Sequence, residues 1–132
     1  MDLKTPYAFG KIVDMTFAEA ELKVREELAK EGFGVLTEID IKKKIAEKLH
    51  KEFRNYIILG ACNPSLAYEA LNHEINLGIL LPCNVVIYTR DDGKTAVMIM
   101  DPVAALSMID NREIVGFSEK VTEKLERVLV SL

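Results

Sequence analysis

Apolar residues recur at helical spacing at Phe17, Ala20, Val24 and Leu28, with Glu19, Lys23, Glu26, Glu27 and Lys30 on the other side. That is the pattern of a helix burying one stripe. Thr16 and Glu19 form a capping box at its start, and Gly32 ends it by accepting the left-handed conformation cheaply. Residues 7 to 14 alternate loosely and predict a strand before it. Phe33 to Ile39 predicts a second strand, with Val35, Thr37 and Ile39 on one face and Leu36 and Glu38 on the other. Asp40 caps a helix with a narrow stripe of Ile41, Ile45 and Leu49, supported by a Glu47–Lys51 pair.

Tyr56 to Ala61 is a nearly unbroken apolar run, the mark of a strand covered on both faces. Asn63 suits an N-cap and Pro64 the first helical position, and the helix is expected to continue through Tyr68, Leu71 and Ile75 to about Gly78. Val85 to Thr89 and Thr95 to Met100 predict a hairpin closed by Arg90-Asp91-Asp92-Gly93-Lys94. Asp101-Pro102 starts a short helix reaching about Ile109, and Asn111 to Gly116 reads as loop or one brief extended piece. Ser118 then caps a final helix with Val121, Leu125, Val128 and Leu132 on its stripe. The order is β-α-β-α-β-α-β-β-α-α. It predicts one α+β domain over residues 1–132, built on a single mixed, mostly antiparallel, curved sheet of about five strands with helices mainly on one face.

Composition narrows the function classes. Among 132 residues the hydrophobic fraction is 49% and the charged fraction 29%, as in globular proteins, and the net charge is −4. The densest basic run, Lys42-Lys43-Lys44, is splayed by a helix into a solvated face, so nucleic acid is not the expected partner. The N-terminus lacks the apolar core of a signal peptide, and Leu77 to Tyr88 is too short and interrupted to span a bilayer. No membrane association is expected. A cytoplasmic location with reduced thiols follows.

The candidate chemistry gathers at Cys62-Asn63-Pro64 and its echo, Pro82-Cys83-Asn84, which hold the chain's two cysteines. Cys62 precedes a helix N-cap, where the helix dipole favours a thiolate and a lowered pKa. On neighbouring strands, Cys62 and Cys83 would come close enough for a disulfide or a shared soft metal. The competing reading is two buried cysteines behaving as small hydrophobes. Asn63 and Asn84 are candidate ligand-orienting groups, and Asp101 a third, although each also suits a cap or turn. Glu38 is a carboxylate within an apolar strand and the candidate proton acceptor, whereas Asp40 is explained as a cap. His50 and His73 read as surface residues. Met98 and Met100 share a strand face and read as core, with copper(I) ligation beside the thiols as the sharper alternative. No Cys-x-x-Cys pair, His-x-x-x-His pair, phosphate loop or Gly-x-Ser-x-Gly elbow occurs, so no metal site is assigned and the cofactor stays open.

Three stretches carry a resemblance: Gly32-Phe33-Gly34-Val35-Leu36-Thr37-Glu38-Ile39-Asp40, Ile58-Leu59-Gly60-Ala61-Cys62-Asn63-Pro64 and Leu80-Leu81-Pro82-Cys83-Asn84-Val85-Val86. In this order they make the chain resemble the family catalogued as domain of unknown function 302, from about residue 8 to the C-terminus. The resemblance implies a fold like the TATA-box-binding-protein class, a curved antiparallel sheet with helices against it, and a homodimer. It implies no activity. Two expectations result: a small ligand-binding or thiol-handling domain centred on Cys62 and Cys83, taking a small molecule or soft metal, or a non-catalytic homodimeric assembly module with inert cysteines. A nucleic-acid role by fold analogy fails on charge sign.

Overall fold

The computed structural model describes residues 2–132. Six strands form one sheet: β1 (Asp2–Thr5), β2 (Ala8–Val13), β3 (Gly34–Asp40), β4 (Tyr56–Cys62), β5 (Cys83–Thr89) and β6 (Thr95–Met100). Their spatial order is β1-β2-β6-β5-β4-β3, and every neighbouring pair is antiparallel. The strand beyond the expected five is β1, which turns through Pro6-Tyr7 to pair with β2.

Side chains alternate between the faces of a strand, and paired residues share a face. The register therefore lines up Phe9, Ile99, Val85 and Leu59 in one row and Val97, Ile87 and Ile57 in the next. Beneath these rows lie α1 (Phe17–Lys30) and α5 (Arg112–Val130), with α3 (Pro64–His73) beside α5. Val24 and Leu28 of α1 and Ile114, Val121, Leu125 and Val128 of α5 join the same buried cluster. The helices thus cover one face of the sheet. The other face carries Ile12, Met98, Met100, Val86, Tyr88, Tyr56 and Ile58, all only half-buried, so the Tyr56–Ala61 run is covered fully on one side alone.

The capping box holds as read: the Glu19 amide donates to Thr16 Oγ1 at 3.1 Å and the Thr16 amide to Glu19 Oε1 at 3.0 Å. Gly32 takes a φ of +84°. The final helix differs from expectation. It starts at Arg112, capped by Asn111, and runs through Gly116 and Ser118 without a break. Ser118 is buried in it, its hydroxyl donating to the Val115 carbonyl at 2.9 Å. The third helix stops at His73 and gives way to a 3-10 segment, Ile75–Leu80.

One part stands apart from the core. From Gly34 to Arg54, across β3 and α2 (Ile41–Leu49), no residue is buried. Leu36, Ile39, Leu49 and Phe53 are exposed, and a bulge at Leu36 interrupts the pairing of β3 with β4.

Candidate functional site

The two cysteines end up on neighbouring strands, at the last position of β4 and the first of β5. The register sets Cys83 opposite Ala61, on the helix-covered side, and Cys62 opposite Gly34, in the other phase of β4. Both are free thiols. Cys83 is buried, and that burial, with Cys62 nearby adding to it, pushes its pKa up to about 12. Burial also raises the pKa of half-buried Cys62, the opposite direction to the lowering expected at a helix start. The cavity beside them, lined by Phe33, Ala61, Leu81 and Phe117, holds only ≈ 10 Å³, about one water at most.

The polar candidates around the cysteines have structural partners. Asn63 accepts from the Leu66 amide at 3.3 Å as cap of α3 and donates to the Glu31 carbonyl, also at 3.3 Å, clamping the end of α1 to the start of α3. Asp101 caps α4 (Pro102–Ala105), accepting from Val103 N at 3.0 Å and Ala104 N at 3.3 Å. Asp40 caps α2 through the Lys43 amide. Glu38 pairs with Arg25, which Glu21 also holds at 3.0 Å. Glu38 faces Leu59 across the ladder, toward the opposite end of β3 from Gly34 and Cys62. The structure therefore does not bring Glu38 to the cysteines. His50 closes α2 with a φ of 54°, and His73 lies in the last turn of α3. Among the described residues, no three His, Cys, Asp or Glu side chains gather as a metal would require.

Asn84 behaves differently. It lies opposite Gly60 on the uncovered face, exposed, and its side chain makes no hydrogen bond among the described residues. It sits at one end of an open trough of ≈ 670 Å³ running across that face. The floor is Val86, Met98 and Met100. The far end is Tyr56 and Tyr88, paired in register and stacked with ring centres 5.6 Å apart and planes 15° from parallel. Phe53 continues the ladder at 6.2 Å from Tyr56. Burial raises the Tyr56 pKa, and the nearby phenols of Tyr88 and Tyr7 raise it further. Tyr7, on the β1–β2 turn, and Thr5, the last residue of β1, also line it. Three phenols and a primary amide thus converge on an apolar floor.

Sequence reasoning missed this trough because its residues are every second position of three strands. Tyr56, then Asn84, Val86 and Tyr88, and Met98 and Met100 become one surface only once the register is known. Met98 and Met100 both line it, and Met100 also packs against the buried cluster.

Residues 9–132 match the family model described as Domain of unknown function DUF302. The chain belongs to that family. No established activity comes with DUF302. The fold is also that of the crystal structure of uncharacterized conserved protein DUF302 from Bacillus stearothermophilus, at a TM-score of 0.88 and 26% identity, covering 95% of this chain and 97% of that one. No curated protein matches the chain. Among the described residues, no helix is long and apolar enough to cross a membrane.

Proposed function

We propose that this chain is a small cytoplasmic binding domain whose ligand seat is the open face of its sheet. The ligand is a small molecule with a flat, largely apolar body and one or two polar groups. The observation that carries this reading is the stacked Tyr56–Tyr88 pair across an apolar floor from Asn84, whose side chain has no partner among the described residues. Small-molecule sites are mostly apolar concavities with a few placed polar groups, in this size range. Aromatic rings add geometric preference to the burial they provide. Cys62 and Cys83 lie outside this seat. Their raised pKa values and tight surroundings support packing roles over thiol or soft-metal chemistry. A second reading, the homodimeric assembly module, draws support from the unburied stretch 34–54.

The test uses the fluorescent probe ANS on native protein. Enhanced, blue-shifted emission that is lost in Tyr88→Ala and Val86→Asp, but kept in Tyr68→Phe on the far helix, is the expected result. The chain has no tryptophan and four tyrosines, three of them lining the trough, so quenching of tyrosine emission reports on the same site. Absence of both signals in folded wild type would refute the seat.

A further inference from the structure

We infer that the open-face trough takes an organic cation, a flat ring system whose positive charge sits on an alkylated or ring nitrogen without N–H groups. This rests on the ligand seat proposed above and assigns the charge its ligand carries. The first observation is what the trough lacks. Among the described residues, those lining it include no lysine, arginine, histidine, aspartate or glutamate. Arg54, the cation nearest to Tyr56 in sequence, is held by Asp91 and the Thr89 carbonyl. An anion seated here would lose water and meet no cation in return, which is strongly unfavourable.

The second observation is what the trough offers instead. Three phenol rings, the thioethers of Met98 and Met100 and the Asn84 amide line it. The face of an aromatic ring is the negative part of its quadrupole, and it attracts a cation without a counter-ion. Tyr88 has one face against Tyr56, with ring centres 5.6 Å apart. Its neighbour on the other side, Ala96 of β6, adds a single methyl group, so the second face of Tyr88 borders the trough. Tyr7 is 67% exposed on its turn, yet its phenol is close enough to act on Tyr56. The charges that act on the Tyr56 hydroxyl are those of other phenols, and no cation is among them.

A primary ammonium suits this surface less well, because it brings three donors that each need an acceptor. An alkylated or ring nitrogen brings none. Its charge is spread over carbon–hydrogen groups that can pack on Val86 and the two methionines. Asn84, with no side-chain partner among the described residues, can turn its carbonyl oxygen toward the positive end.

The experiment is equilibrium dialysis of the native chain against three bicyclic probes of nearly equal shape. They are N-methylquinolinium, a cation; methylnaphthalene, its neutral counterpart; and naphthoate, an anion. High salt screens the general pull of a net charge of −4 on any cation. N-methylquinolinium is expected to bind about 5- to 30-fold more tightly than methylnaphthalene, the range of a cation–π contact, and naphthoate most weakly. Tyr88→Leu and Tyr7→Leu each keep an apolar wall without a π face. Both should weaken the cation more than methylnaphthalene. Tyr7 lies on an exposed turn, so its variant keeps the test open where Tyr88→Leu lowers stability, and circular dichroism checks both folds. Methylnaphthalene or naphthoate matching the cation, or an unchanged preference in both folded variants, would overturn the inference and leave the seat standing. Binding of none of the three would remove the seat as well. ANS, whose sulfonate can stay in water above the open trough, reports the seat independently of this charge preference.

Discussion

Gly10 lies in the middle of the open face, where β2 runs against β6, and replacing it with alanine makes a sharp demand on the structure. A Cβ there would stand 2.0 Å from the Val97 carbonyl oxygen, 2.5 Å from Met98 Sδ and 2.9 Å from Met98 Cα. Carbon atoms are comfortable at about 3.5 Å, so the ladder must open by on the order of 1 Å. Rotating Met98 relieves the sulfur contact, but the two backbone contacts have no rotamer to turn. Overpacking costs about 1–3 kcal/mol, and a backbone clash belongs at the upper end. Loss of glycine's unfolded-state freedom returns about 0.4–1 kcal/mol. A net loss of about 2 kcal/mol remains, or a fall in Tm of roughly 6–10 °C for a domain of this size. Gly116→Ala is the matched control. Its Cβ meets nothing within 4 Å, and it sits inside α5, where alanine should add about 0.5–1 kcal/mol. Urea unfolding of both variants beside wild type measures the pair. Gly10→Ala within about 0.5 kcal/mol of wild type would refute the clash argument, and a destabilised Gly116→Ala would refute the helix.

Two further predictions concern the strand ends. Cys83 rises from the ordinary thiol value of 9.0 to about 12, so the unfolded chain releases this proton first as pH rises. Its contribution is complete below about pH 9 and is lost between about 9 and about 12, at up to about 1.4 kcal/mol per pH unit. Cys83→Ala should remove that part of the slope, and identical slopes in wild type and variant would contradict the buried thiol. Asn63→Ala removes the α3 cap and the clamp on the Glu31 carbonyl together, for an expected loss of about 1–2 kcal/mol in chemical denaturation. Asn63→Asp keeps the cap oxygen but not the donor, and should fall between the two.

Signals written in neighbouring residues are legible from the chain alone. Thr16 with Glu19, Gly32, Asn63 with Pro64, and the Asp-Gly hairpin each settle a local geometry whatever the rest of the chain does. Gly116 and Ser118 mislead because both are poor helix formers, yet the buried stripe of α5 overrides them and the Ser118 hydroxyl bonds back to its own helix. The sheet face is illegible for a different reason. Whether Tyr56 meets Tyr88, or Asn84 meets Gly60, is set by pairing between distant segments, and alternation alone cannot name the partner. Repetition of Cys-Asn beside proline draws attention to the cysteines, but burial, which spacing does not encode, decides how those thiols ionise.

The pairing of β2 with β6 also governs how the chain comes off the ribosome. Val13 pairs with Thr95 and Ala8 with Met100, so a strand made almost first finds its inner neighbour only when most of the chain has been synthesised. At about 5–20 residues per second that wait lasts roughly 5–20 s. Throughout it, β2 has only the short β1 to pair with, and the apolar stripe of α1 lacks the β5 and β6 rows it will cover. Nascent chains stalled before Thr95 should therefore be protease-sensitive and chaperone-bound, and the full chain, with α5 also covering the sheet, protected.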